Sequence, residues 1–183
     1  MDLRIIKTHK AIRYAFIELL SEQNYDDITI QDILDKALVN RATFYKYYTG
    51  KSDLAGQMID EFRQQVEKIL SDRLNIDDKS LEMRMHCHGQ RMFELRKQML
   101  ALWKIRTKRH NLYQDMFDMS KQNFIELAKQ QNKTNNTIHN LDYQATMMAT
   151  LMMASIQYYF ERDQPFPKNF HDDWENMIHI VKI

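Results

Sequence analysis

Residues 40–48 read Asn-Arg-Ala-Thr-Phe-Tyr-Lys-Tyr-Tyr, which gathers an amide, a guanidinium, hydroxyls and an ammonium on a short stretch of chain. These are the groups that read a nucleic-acid duplex. An Arg can bond both acceptors on a guanine edge, an Asn can do the same on adenine, and a Thr methyl can meet the thymine methyl. On a helix, Phe44 and Tyr48 are four residues apart and share a face. They can therefore anchor the run while Asn40, Arg41 and Thr43 lead it. Tyr45, Lys46 and Tyr47 stand at the flanks. Thr29 and Lys51 fall at the starts of neighbouring helices, where free backbone N–H groups favour phosphate. The same tyrosines could instead form a half-buried aromatic shell with no ligand, and the run alone does not decide between the two.

The elements that would hold this run are legible on both sides of it. Ile5, Ile12, Ala15, Phe16, Leu19 and Leu20 recur at helical spacing. That helix should end near Gln23, with Asn24 in the left-handed conformation that commonly closes a helix and Tyr25 tucked onto the core. Thr29-Ile30-Gln31-Asp32 is a short form of the capping box and opens a second helix bearing Ile30, Ile33, Leu34 and Ala37. Leu38-Val39-Asn40 breaks its rhythm, and Asn40 is a fresh N-cap for a third helix over 41–48. Thr49-Gly50-Lys51 reads as a turn. Ser52 then caps a fourth helix carrying Leu54, Met58, Ile59, Phe62, Val66, Ile69 and Leu70. Two short helices joined tightly and braced by longer ones make a helix-turn-helix.

Beyond a polar connector at 75–79, helical patterns run over 81–105, 112–131, 141–162 and 170–181. The first of these should break near Gly89 or around Arg96. Residues 132–140 are the most loop-like, and 163–167 form a turn holding both prolines.

Composition excludes much else. Only 3 Gly and 2 Pro occur in 183 residues, too few for the turns of an all-β fold and too few glycines for a P-loop or dinucleotide fingerprint. The expected class is all-α. One cysteine rules out a disulfide framework and fits a reducing cytoplasm. The N-terminus lacks the apolar core of a signal peptide, and the longest apolar stretch, 145–156, is short of the roughly 20 residues needed to span a bilayer. We therefore expect a cytoplasmic protein without membrane contact. A net charge of +1 means that any nucleic-acid surface must be local. Hydrolase, zincin and di-metal motifs are absent, so no enzyme activity, cofactor or metal is expected.

From Thr8-His9-Lys10-Ala11-Ile12 through Leu54, the chain resembles the DNA-binding domain of the TetR family of transcriptional regulators. The carrying string is TIQDILDKALVNRATFYKYYTGKSDL. Asn24 and Leu38 stand where the family often has Gly, and Leu38 should resist a positive φ, so the turn between the short helices is expected to take another form. The resemblance implies that Thr29, Tyr45, Tyr47 and Lys51 contact phosphates. It also implies that Asn40, Arg41, Thr43 and Lys46 face the major groove, with Phe44 and Tyr48 structural. On that footing Lys51→Ala should weaken binding to all sequences alike and lower the salt slope by about 1. It divides the chain into a DNA-binding domain, 1–52, and a helical dimerisation and effector domain, 53–183.

In the second domain, apolar residues occupy nearly every side of 141–159. A helix apolar all round is buried all round, and the simplest cover for its outer face is a second copy. That stretch and the helix after it resemble the family's dimerisation pair. The expected interface comprises Met148, Leu151, Met152, Ile156, Tyr159, Trp174, Met177 and Ile178. Symmetry then implies a homodimer on a pseudo-palindromic double-stranded operator with half-sites roughly 34–36 Å apart. The resemblance also implies an effector pocket, for which Met92, Met99, Trp103, Met116, Phe117 and Met147 are candidates, although plain core packing explains any single methionine. The effector could be a small molecule or a protein partner. Repression relieved by ligand is the commonest family mode, with activation open. A helical interaction module without DNA affinity is the alternative reading. Met85-His86-Cys87-His88-Gly89 suggests a metal or a redox thiol, but adjacent helical side chains diverge by about 100° and cannot converge on one ion.

Overall fold

The computed structural model describes residues 3–71, 81–131 and 140–167, together with 170, 172, 173 and 176. All regular structure among them is helical. Helix α1 (Leu3–Glu22) buries Ile12, Ala15, Phe16, Leu19 and Leu20, the stripe its spacing predicts. Asn24 is not left-handed. It is extended (φ −73°, ψ 151°) and leads into a single 3-10 turn over Tyr25–Asp27. A left-handed residue is not required there, because this turn carries Tyr25 back onto Phe16, edge to face at 6.4 Å.

Helix α2 (Ile30–Ala37) opens on the complete capping box of Thr29 and Asp32. It closes on Leu38, which adopts the left-handed conformation (φ 54°, ψ 43°) that its side chain was expected to resist. The backbone explains this: Val39 N–H bonds the Leu34 carbonyl at 3.1 Å and Leu38 N–H bonds that of Asp35 at 3.4 Å. These bonds satisfy carbonyls that the helix end would leave open. The Leu38 side chain is 92% exposed, so no packing compensates its strain. Leu38→Gly should therefore raise stability by up to about 1 kcal/mol in thermal or urea unfolding, the relief of a left-handed residue less the added freedom of the unfolded chain. A loss of stability would show that Leu38 makes a favourable contact.

Helix α3 (Arg41–Tyr45) is shorter than the expected 41–48, and its chain continues as a turn through Tyr47. Helix α4 (Lys51–Ser71) begins before Ser52, which is not its cap. Asp53 reaches back to accept from the Thr49 N–H at 2.7 Å, while Leu54 N–H bonds the Gly50 carbonyl at 3.1 Å. The expected domain boundary after residue 52 thus falls in the first turn of a continuous helix.

Helices α5 (Leu81–Glu94) and α6 (Arg96–Trp103) divide at Leu95, close to one of the two expected breaks. Gly89 stays helical, and Phe166 lies close against it: a Cβ there would sit 3.0 Å from the ring. Helices α7 (Leu112–Gln131) and α8 (Leu141–Glu161) pack on each other, and α6 lies against α1 and α8. One apolar cluster runs from Ile12 and Phe44 through Phe62 to Leu102, Met116 and Phe160. Among the described residues no helix is long and apolar enough to cross a membrane. The expected helix at 170–181 lies mostly outside them, as do Trp174, Met177 and Ile178.

Candidate nucleic-acid interface

The third helix is held from beneath. Phe44 and Tyr48 are 0% and 1% exposed, and their rings meet at 5.4 Å. Burying two aromatics fixes five helical residues that could not stay helical alone. The opposite side is open, and Asn40, Arg41, Tyr45 and Lys46 are exposed there while Thr43 and Tyr47 are half-buried. Asn40 caps the helix: its Oδ1 accepts from the Thr43 N–H at 2.8 Å, which leaves its amide N–H groups to donate. Arg41 donates to Gln31 Oε1 at 3.1 Å from the neighbouring helix.

Two of the residues expected at phosphates are already engaged. Thr29 accepts from the Asp32 N–H at 3.1 Å, and its N–H and hydroxyl both donate to the Asp32 carboxylate at 2.7 Å. These two donors hold the Asp32 carboxyl below the usual carboxylate range. A phosphate at Thr29 would have to displace Asp32.

The Lys51 ammonium turns inward, donating to the carbonyls of Ile28 at 2.6 Å, Tyr25 at 2.7 Å and Asp26 at 3.4 Å, and it lies 4.3 Å from the Tyr25 ring centre. Burial pushes its ammonium below the usual lysine range, while Asp26, Asp27 and Asp32 pull the other way. In this geometry Lys51 clamps the turn that launches α2. We now expect Lys51→Met to cost stability, about 1.5–3 kcal/mol for charged hydrogen bonds lost. It should leave the salt slope of DNA binding unchanged, since no phosphate contact is removed. A slope lower by about 1 would restore the phosphate role.

A polar network behind the helix was not visible in the sequence. Tyr48 Oη accepts from Arg13 Nε at 3.1 Å and pairs with His9 Nδ1 at 2.9 Å. Arg13 forks onto both oxygens of Glu61, and His9 packs against Tyr47 with ring centres 4.3 Å apart. Residues 9, 13, 48 and 61 thereby tie α1, the segment after α3 and α4 together. The only local signal was the four-residue spacing of His9 and Arg13. Burial pushes the Tyr48 hydroxyl up and His9 down, and the Arg13 charge opposes the first and reinforces the second.

In the C-terminal part, Met92, Met99, Trp103 and Met116 are buried, and Trp103 Nε1 donates to Met116 Sδ at 3.3 Å. Phe117 is half-buried beside them in the same cluster. Met147 is 43% exposed and lies on the other side of α8 from Ala145, Ala149 and Met153, apart from the other five. An open polar cleft of about 320 Å³ lies elsewhere, between the turn after α1 and the segment after α6, lined by Asn24, Tyr25, Asp26, Asp27, Lys104, Arg106 and Thr107.

Helix α8 is not buried all round within one chain. Ile156 is buried in the chain's own core and Met148, Leu151, Met152 and Tyr159 are half-buried, whereas Tyr143, Met147, Thr150, Ala154 and Tyr158 form an exposed stripe. No group of three or more metal-ligating side chains is gathered among the described residues. The side chains of His86 and Cys87 lie outside them.

A short capped helix, anchored by buried aromatics in a frame of longer helices, defines a helix-turn-helix domain. Residues 14–58 match the profile of the family described as bacterial regulatory proteins, tetR family. Over these residues the chain carries a domain of the tetR-family type.

The chain is 43% identical over 60 residues to the uncharacterized HTH-type transcriptional regulator YxbF of Bacillus subtilis (strain 168), a match covering 32% of this chain and 16% of the relative. It is 37% identical over 71 residues to the uncharacterized HTH-type transcriptional regulator YdeS of the same organism, covering 39% and 32%. The matches therefore span a third or less of either relative's length. The fold extends further. A crystal structure of a gamma-butyrolactone receptor (ArpA-like protein) superposes over 97% of this chain and 89% of its own, with a TM-score of 0.66 at 16% identity.

Proposed function

We propose that this chain is a transcriptional regulator that binds a pseudo-palindromic operator as a homodimer and represses until an effector at the C-terminal part releases it. The carrying observation is the division of residues 40–48 into a buried anchor, Phe44 and Tyr48, and an exposed edge of Asn40, Arg41, Tyr45 and Lys46. Arg41, Asn40, Thr43 and Lys46 would meet the major groove, and Tyr45 and Tyr47 would meet phosphates. The exposed stripe of α8, with the half-buried Leu151 beside it, supports the pairing; Met148, Met152, Ile156, Tyr159, Trp174, Met177 and Ile178 are the other residues proposed for the interface.

An effector near Trp103 and Met116 would act where α6 touches α1, because Lys104 Nζ already donates to the Ser21 carbonyl at 3.0 Å. It can shift the balance only by the difference in its affinity for the two placements of the DNA-binding part. The chain would act in the cytoplasm, where the operator is.

Fluorescence anisotropy of labelled DNA from around the protein's own coding region, with scrambled competitor and a salt series, tests this reading. Saturable, competitor-resistant binding of one dimer per site, weakening as salt rises, is the expected result. Absence of binding to any DNA at low salt, together with capture of a stoichiometric protein partner, would replace it with an interaction module.

A further inference from the structure

The Gln31 side chain stands between the two short helices and is bonded at both ends. Its Nε2 donates to Asp35 Oδ1 at 2.8 Å, one turn along α2, and its Oε1 accepts from Arg41 Nη2 at 3.1 Å, on the first residue of α3. The two bonds are mutually dependent. A carboxylate accepts only, so Asp35 obliges Gln31 to present its N–H side to α2 and hence its carbonyl oxygen to Arg41.

All three side chains sit at or near the surface rather than in the core. The arrangement therefore contributes little to packing, and its effect falls on the direction of the guanidinium. A free Arg side chain samples many rotamers, and its planar fork matches a guanine edge only in a narrow range of orientations. One donor of Arg41 is held by Gln31, and the remaining donors stay available on the exposed edge of α3.

We propose that Gln31, oriented by Asp35, is a positioning residue for sequence readout that aims Arg41 at one base-pair edge. This rests on the reading that Arg41 faces the groove. Without Gln31 the guanidinium is free to swing onto phosphates. Binding to arbitrary DNA is then retained while discrimination at Arg41's position is lost.

The test uses the full-length protein and DNA sites selected from a random library. Wild type, Gln31→Ala, Gln31→Glu, Arg41→Ala and the Gln31→Ala/Arg41→Ala double variant are compared on the selected site and on each single base-pair change of it. Expected is a fall of about threefold to tenfold in discrimination for Gln31→Ala, the worth of one hydrogen bond, confined to the positions that Arg41→Ala affects. Affinity for random DNA and helical content should stay unchanged. Gln31→Glu keeps an acceptor for Arg41 and should retain more of the discrimination than Gln31→Ala. In the Arg41→Ala background the Gln31 substitution should have no further effect.

An equal loss on all sequences, or a loss that persists without Arg41, would overturn the proposal, the latter by showing that Gln31 touches the bases itself. If Arg41→Ala alone leaves base preference intact, the groove-facing role of Arg41 falls, and this proposal with it.

Discussion

Phe44→Ala is expected to lower stability by about 3–5 kcal/mol, the range for removing a fully buried aromatic. The ring is 0% exposed and touches both Tyr45 and Tyr48, so the cavity would open directly under a helix of five residues. Natural domains are stable by only about 5–15 kcal/mol, so a large share of the margin would be gone. Urea unfolding monitored by circular dichroism gives the value. DNA binding should fail well below the wild-type melting temperature. Tyr45→Ala is the internal control: that ring is 46% exposed, and its loss should scarcely move the urea midpoint. A loss below about 1 kcal/mol at Phe44 would mean that the helix is held from elsewhere.

If the chain pairs as proposed, Ala154→Glu is expected to convert it from dimer to monomer. Ala154 lies in the middle of the exposed α8 stripe, between Met147 and Tyr158, and a carboxylate there would meet its own copy across a two-fold axis. Desolvating two like charges is costly, whereas the same change on a solvent-facing helix costs little. Sedimentation velocity should show a single chain with unchanged helical content. Affinity for a full operator should drop by about 10²–10⁴, because two half-sites would no longer be bound as one event. Persistence of the dimer would remove pairing from this face of α8.

What could be read in advance was what neighbours in sequence control. The caps at Thr29 and Asn40 are each set by a side chain three residues from the N–H it satisfies, and both were placed correctly. The break at Leu95 lies beside one of the two places offered for it, Gly89 and Arg96. The same local reasoning misjudged Leu38, because propensity argues against a left-handed leucine while helix-closing hydrogen bonds argue for one, and the bonds prevailed.

The inward turn of Lys51 was out of reach for the opposite reason. Its partners are carbonyls 23 to 26 residues away, and no spacing rule reaches them. The joining of His9 and Arg13 to Tyr48 and Glu61 is likewise a product of packing across helices. Helix α8 shows a further limit: its composition says that all sides are apolar, but not which side the chain itself covers.

Asn40 has a consequence for how such a protein can change its target. Arg41 and Lys46 are exposed and outside the core, so drift at these positions can retune the preferred DNA at little cost in stability. Asn40 closes the first turn of α3 while standing at the reading edge, so only residues that can still cap, chiefly Ser, Thr and Asp, are tolerated there. Diversification of operator choice should therefore be broad at 41 and 46 and narrow at 40. A library randomised at these three positions and sorted for folded protein before any DNA is added should already show that bias.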